Sequence, residues 1–235
     1  MSRKRITEYI KKKNVIGGNK MGVSSNNHGI HVFGEGVVSA EPDVLKITLG
    51  VFTDGIELQS AQTQNGIMIT KVITGVIEMG IIRDDIRTVD YRIDPQYRYE
   101  DGKQVFQGYR VTHLLEITST KISEAGKIVD ASVQNGANAV QSIQFSLKNS
   151  EAFYQHALSL AGKDAVQKAE TLARTFGVSF YRIPYLILEE QVTNRPVPIP
   201  FSALKSEAQT PVLPGKLAVQ ARIKAYFPFQ VNSFG

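Results

Sequence analysis

The feature that most constrains the fold is a long helical pattern between Glu151 and Gly177. Small and apolar residues recur there at steps of three and four, which places them on one stripe of a 3.6-residue period. At about 1.5 Å per residue, such a helix is roughly 40 Å long and can cross a whole sheet. Asn149 or Ser150 is expected to cap its start, and Gly177 is expected to end it. The predicted buried stripe consists of Leu158, Ala161, Ala165, Ala169, Leu172 and Phe176.

The rest of the chain alternates between strand and helix patterns. Shorter helices are predicted over residues 56–79 and 122–134, the first capped by Thr53 or Asp54 and ended by Gly80. The complete order is strand, strand, helix, strand, strand, helix, strand, helix, strand, strand. This order predicts an α+β fold with a mixed, mainly antiparallel β-sheet, built from two strand-helix-strand units with the helices packed on one face. Whether the long helix packs on this sheet or on another subunit is left open by the pattern.

The clearest local signal is a β-hairpin between Asp84 and Thr120. Its two strands flank Asp101-Gly102, a favoured dipeptide for a two-residue turn. Pro95 cannot donate a ladder hydrogen bond, so we expect an edge position or a bulge there. Tyrosines and arginines alternate along the first strand, which invites a nucleic-acid interpretation. Alternation places the rings and the cations on opposite faces, however, and a stacking platform needs them together.

Other segments carry specific expectations. Gly34 and Gly36 interrupt the first strand and indicate either a bulge or a close backbone approach. Residues 181–190 have apolar side chains on both faces and are expected to form a central strand. Residues 216–227 alternate between apolar and polar, which predicts a strand with one buried face. Segment 191–215 holds five of the nine prolines and no period, so we predict a long loop that could bind a protein partner.

The net charge of +5 is concentrated at the N-terminus. Residues 1–27 carry seven basic residues and one acidic residue, a net charge of +6, and the remainder of the chain is close to neutral. We therefore interpret residues 1–28 as a disordered basic tail and residues 29–235 as one folded domain. No apolar run reaches the length of a signal-peptide core or a membrane span, so the sequence predicts a cytoplasmic protein.

No residue pattern in the chain points to catalysis. The chain has no cysteine, which excludes disulfides, thiolate nucleophiles and cysteine-ligated metals. The four histidines, His28, His31, His113 and His156, show no metal-ligand spacing. Asn65 lies on the apolar stripe of its helix, either as a hydrogen-bonded core amide or as a ligand contact. We therefore assign no catalytic, cofactor-binding or metal-binding residue, and no cofactor.

Six stretches of the sequence form a distinctive set. They are GEGVVSAEPD at 34–43, GVFT at 50–53, GIIRDDIRT at 80–88, VQNGANAVQSIQFSL at 133–147, ALSLAGKDAVQKAETLARTFGV at 157–178 and TPVLPGKLAVQARIKAYF at 210–227. Together they resemble the SIMPL-domain family, in that family's order from about Ile30 to Phe227. The resemblance implies relatives that are mostly uncharacterised bacterial proteins, many of them exported to the periplasm or associated with the outer membrane. It also implies self-assembly and oxidative-stress tolerance in some members, and it supplies no catalytic residues.

Three functional hypotheses follow from these observations. The first is a non-enzymatic protein that acts through protein–protein interaction or homo-oligomerisation, with the role in oxidative or envelope stress that the resemblance implies. The second is binding of nucleic acid or an anionic membrane through residues 1–27. The third is an unrecognised enzyme or small-ligand binder with a pocket between sheet and helices, near Asn65 and Tyr91. We favour the first, because the sequence offers contact surfaces and no catalytic constellation.

Overall fold

The computed structural model describes residues 29–190, 197–198 and 212–231, and these form two antiparallel sheets with helices packed on them. The predicted basic tail, residues 1–28, lies outside the described residues. So does most of the predicted loop, apart from residues 197–198 and 212–215. The disorder of the tail and the binding role of the loop therefore stay predictions.

The first sheet is organised around β9 (Leu217–Val231). On one side of it, β1 (Gly29–Ala40) pairs along its whole length without a bulge. On the other side lie three short strands in succession: β6 (Val178–Phe180), β7 (Leu186–Glu190) and β8 (Val197–Pro198). In the part of the chain that the structure describes, β7 pairs only with the central β9, so β7 is an edge strand there. The prediction of a central strand within residues 181–190 is wrong, since apolar residues on both faces of this strand are exposed rather than buried.

The second sheet has the order β3 (Ile86–Glu100), β4 (Lys103–Ser119), β2 (Val44–Gly55) and β5 (Ala139–Ser146). The β3–β4 hairpin is confirmed: its turn residues, Asp101 and Gly102, have φ values of 47° and 76°, as a type I′ turn requires. The expectation for Pro95 is also confirmed, because β3 is an edge strand and its register shifts just after Gln96. All pairings among the described strands are antiparallel, and the α+β class is confirmed.

Two helices cover one face of the second sheet. They are α1 (Leu58–Glu78) and α2 (Ala125–Gln134), the latter preceded by a short 3₁₀ turn. The predicted N-terminal caps of α1 are wrong, because Thr53 and Asp54 still belong to β2. The Thr53 hydroxyl instead donates to the carbonyl of Ala61, 2.8 Å away, and so ties the strand to the first turn of the helix. The predicted end of α1 is confirmed, since Gly80 follows the C-cap Met79 with a φ of 78°. The core between sheet and helices includes Leu45, Ile47, Leu49, Val51, Val72, Val76, Leu115, Ile117 and Ile128.

The long helix, α3 (Ser150–Phe176), packs on the first sheet of its own chain. Its predicted caps are confirmed: the Asn149 side chain accepts from the Ala152 N–H, and Gly177 is left-handed. The predicted stripe is only partly correct, because Leu172 and Phe176 are exposed, Phe176 by 74%. From Ala157 onward the buried stripe advances in steps of four, which turns it away from these two residues. It consists of Tyr154, Ala157, Ala161, Ala165, Ala169 and Ala173.

Gly34 and Gly36 allow this helix to touch the sheet backbone. A Cβ atom on Gly34 would lie 2.0 Å from the Ala161 carbonyl oxygen, and one on Gly36 would lie 1.9 Å from that of Ala157. These distances are far below any real carbon–oxygen contact. Of the two expectations for these glycines, close backbone approach is therefore correct, and the alanines of α3 are what makes the approach possible.

Candidate functional site

The β7 edge, Leu186–Glu190, is a strand edge with three exposed apolar side chains. Among the described residues, β7 pairs only with β9, so one row of its backbone N–H and C=O groups has no strand partner. Its apolar residues are exposed on both faces: Ile187 points to the α3 side and is 56% exposed, and Leu186 and Leu188 point to the other side. An edge of this kind accepts a strand from another chain.

The opposite edge of the same sheet, the β1 edge, is blocked by two side chains of α3. The Glu35 N–H donates to Asp164 Oδ2 at 2.8 Å, and Lys168 Nζ donates to the Phe33 carbonyl at 3.0 Å. Asp164 and Lys168 also form an ion pair with each other at 2.7 Å. These side chains occupy a backbone donor and a backbone acceptor that an incoming strand would need, so the β1 edge is protected against pairing.

The electrostatics of this contact favour the ionised carboxylate. Burial alone would raise the pKa of Asp164, but the hydrogen bonds from Lys168 and from the Glu35 N–H outweigh burial and hold the pKa below its usual value. A carboxyl group with a lowered pKa in the folded state stabilises the fold above its unfolded pKa of about 3.9. That contribution is lost as the pH falls through the folded pKa, so the contact of Asp164 with Lys168 and β1 weakens in acid.

Asp164→Ala is expected to expose the β1 edge at neutral pH. One backbone donor loses its partner and Lys168 loses its ion pair, so the free energy of unfolding should fall by about 1 kcal/mol. The larger effect should be on self-association, because a second strand edge becomes available. Urea denaturation measures the first effect, and static light scattering over time measures the second.

Glu170→Ala is the matched control for this prediction. Glu170 lies on the same helix and pairs with Arg174 and Arg182, but it makes no contact with β1. Equal scattering from the two variants would show that Asp164 does not guard the edge.

A second exposed surface is the hairpin arm, residues 97–107 at the outer end of β3 and β4. All of these residues are exposed. The rings of Tyr97 and Phe106 meet edge to face at 5.7 Å, and Phe106 meets Tyr109 at 5.1 Å. The arm therefore carries an ordered aromatic cluster that projects from the body, an arrangement suited to contact with another molecule.

The outer face of the first sheet, opposite α3, was not identified from the sequence. Arg222 lies over the ring of Phe33 at 4.4 Å, and Lys224 contacts both Phe33 and Tyr226. His31 stacks obliquely on Tyr226 at 4.3 Å. Each of these residues alternates with a buried one along β1 or β9, and this alternation predicts that they face outward. It does not predict which residues of β1 and β9 lie side by side.

Asn65 is a buried amide, only 1% exposed, that joins α1 to two strands of the second sheet. Its side-chain N–H groups donate to the carbonyls of Val51 at 3.2 Å and Val111 at 3.1 Å. Asn65 is therefore a core amide, as one of the two interpretations expected, and its amide nitrogen is fully hydrogen-bonded. Its Oδ1 atom is buried and accepts no hydrogen bond within the described residues.

Tyr91 lies near this amide but at the surface, in a chain of polar contacts. Gln62 donates to the Tyr91 hydroxyl at 3.0 Å, Tyr91 meets His113 edge to face at 5.1 Å, and His113 Nε2 lies 2.9 Å from the Thr88 hydroxyl. Burial lowers the pKa of His113, so its imidazole is neutral at pH 7. None of these contacts involves a carboxylate. The space between sheet and helices, where the third hypothesis located a pocket, is filled by apolar side chains.

The remaining histidines are not brought together. His31 contacts Tyr226, His156 is exposed on α3, and His28 lies outside the described residues. Within residues 29–190, 197–198 and 212–231, no group of three or more histidine, aspartate or glutamate side chains has the geometry to hold a metal ion. In the same residues, no helix is both long enough and apolar enough to cross a membrane.

Comparison with known proteins shows relatives along most of the chain. The chain is 30% identical over 178 residues to the 26 kDa periplasmic immunogenic protein of Brucella melitensis, which covers 74% of this chain and 70% of that protein. It is 26% identical over 191 residues to the uncharacterized protein YggE of Edwardsiella ictaluri, covering 77% and 80% of the two chains. It is 25% identical over 150 residues to YggE of Escherichia coli K12, covering 63% and 61%.

These relatives correct one prediction and confirm another. The prediction of a cytoplasmic protein is wrong, because it conflicts with the periplasmic proteins of Brucella melitensis and Brucella abortus that the chain matches. It rested only on the absence of a long apolar run. The resemblance noted in the sequence is confirmed, since the SIMPL model, described as a protein of unknown function (DUF541), matches residues 30–227. The chain belongs to the SIMPL family.

Proposed function

We propose that this protein acts through self-assembly and protein–protein contact and catalyses no reaction. The observation that supports the proposal is the contrast between the two edges of the first sheet. The β1 edge is blocked by Asp164 and Lys168, whereas the β7 edge combines exposed apolar side chains with backbone groups that no other described strand pairs. Proteins commonly block a strand edge to prevent sheet extension. A protein that blocks one edge and leaves an apolar one open is therefore suited to accept a strand at the open edge.

Two further features fit this proposal. The hairpin arm supplies exposed aromatic rings, which are enriched where proteins contact one another. The name of the Brucella relatives favours a periplasmic setting, in which an assembled protein could contribute to tolerance of envelope or oxidative stress. Any protection against oxidants would proceed without thiol chemistry, because the chain has no cysteine. A contribution of the proline-rich segment 191–215 to assembly remains a prediction from the sequence.

The solution mass of the full chain tests the proposal. Light scattering after size-exclusion chromatography should give a homo-oligomer. Leu188→Lys should lower that mass, because it places a charge in the centre of the apolar β7 edge and opposes its burial. Since Leu188 is exposed in the single chain, the folded monomer should survive, which circular dichroism would verify.

Ile67→Lys is the control for the loss of an exposed apolar side chain. Ile67 is exposed to a similar extent, but it lies on α1, the helix that packs on the second sheet, and so is not on the sheet that contains β7. A monomeric mass for the unmodified protein over a wide range of concentrations would contradict the proposal.

A further inference from the structure

We infer that the β7 edge binds the β7 edge of a second copy, as an antiparallel pair with its two-fold axis at Ile187. This inference rests on the proposed self-assembly and specifies its geometry. It would join two first sheets into one continuous sheet. The partner is identified by self-complementarity, because an isologous contact must match a surface to itself.

The choice of register follows from the residues of β7. In an antiparallel pair, residues opposite each other share a face of the sheet. With the axis at Ile187, Ile187 faces its own copy, and Leu186 and Leu188 face each other twice. The two Ile187 side chains then meet on the α3 side of the sheet, and the four leucine side chains meet on the other side. The carboxylates of Glu189 and Glu190 lie beyond these side chains at both ends.

Shifted registers are worse. With the axis at Leu188, each Ile187 would oppose a Glu189 and each Leu186 would oppose a Glu190, which buries carboxylates against apolar side chains. With the axis at Leu186, the two β7 strands would overlap only at Leu186 itself, because the other β7 residues would oppose residues 182–185, which lie outside the strand. Of these three registers, the one at Ile187 overlaps the most β7 residues without opposing a carboxylate to an apolar side chain of β7.

Charge also supports this register. Both carboxylates already have partners in their own chain, Glu189 with the Tyr154 hydroxyl at 2.6 Å and Glu190 with Arg222 at 3.4 Å. In the register at Ile187, the Glu189 residues of the two copies stay about 14 Å apart along the strands, at about 3.4 Å per residue. With the axis at Leu188, they would be only about 7 Å apart along the strands. The register at Ile187 therefore keeps the like charges of the two copies well separated.

The absence of cysteine from the sequence makes a direct test possible. Opposite residues of an antiparallel pair have Cα atoms about 4.5–5.5 Å apart, within the range that a disulfide spans. Ile187→Cys should therefore link two copies when the purified full-length variant is oxidised with diamide, which accepts the two thiol hydrogens. Leu188→Cys is the matched control. In the same register its two copies are offset by two residues, about 8 Å apart, too far for a disulfide.

The expected result is a covalent dimer of Ile187→Cys and a monomer of Leu188→Cys on non-reducing gels. Linkage of Leu188→Cys as fast as Ile187→Cys would overturn the register. Linkage of neither variant, with an oligomeric mass in light scattering, would overturn the β7 pair and leave self-assembly standing, with the hairpin arm of another copy or segment 199–211 as the occupant of the edge. A monomeric mass for both variants and for the unmodified protein would overturn the proposed function as well.

Discussion

Gly36→Ala is expected to destabilise the protein by about 3 kcal/mol or more, although the change adds a single methyl group. The new Cβ atom would lie 1.9 Å from the Ala157 carbonyl oxygen and 2.7 Å from the Ala161 nitrogen. Both are backbone atoms of α3, so no side chain can rotate away, and the helix must move off the sheet. That movement loosens the packing of the whole alanine stripe. Urea denaturation followed by circular dichroism measures the loss.

Gly162→Ala is the matched control and should have the opposite sign. Gly162 lies on α3 directly after Ala161, but a Cβ atom there would meet no atom within 4 Å. Replacing a glycine inside a helix by alanine stabilises it by about 0.5–1 kcal/mol, because the unfolded chain loses freedom. If Gly36→Ala kept the stability of the unmodified protein, the close approach of helix and strand would not be a packing constraint.

Asn65→Asp is expected to cost about 3–5 kcal/mol at pH 7, because it leaves an uncompensated buried charge. The amide group donates two hydrogen bonds to strand carbonyls. An ionised carboxylate can donate none and would face the same two oxygens. Burial raises the pKa of such a carboxyl group above its unfolded value of about 3.9. The penalty should therefore be smallest in acid and should grow as the pH rises above about 4, which denaturation at several pH values measures.

Asn138→Asp separates burial from the loss of a donor. Asn138 is exposed and contacts β2, one of the two strands that Asn65 contacts. Its amide group donates to the Phe52 carbonyl at 2.9 Å, and its side-chain oxygen accepts from the Phe52 N–H. Water can replace the lost bond there, so the cost should be about 1 kcal/mol. Equal effects at the two positions would show that Asn65 is not a buried junction between α1 and the second sheet.

The candidate site was only partly predictable. The turn at Asp101-Gly102 follows from the chemistry of two adjacent residues. Local chemistry also narrowed the helix cap to Asn149 or Ser150, and the role of Gly34 and Gly36 to a bulge or a close approach, and the structure decided between these alternatives. The contact that blocks the β1 edge does not follow from local chemistry, because it joins Glu35 to Asp164, 129 positions apart in the chain. Nothing local in either segment indicates that the two meet.

The sequence by itself determined the α+β class, the hairpin and the long helix, because periodicity and turn chemistry act over a few residues. Its motifs, in their order along the chain, carried the resemblance to the family. The tertiary structure decided which strands are neighbours. It divided the strands between two sheets, gave the centre of the first sheet to β9 and left the apolar β7 at an edge. A strand with apolar residues on both faces has the same sequence pattern whether its second edge is covered by its own chain or left open for another. Only the pairing of distant segments distinguishes these cases.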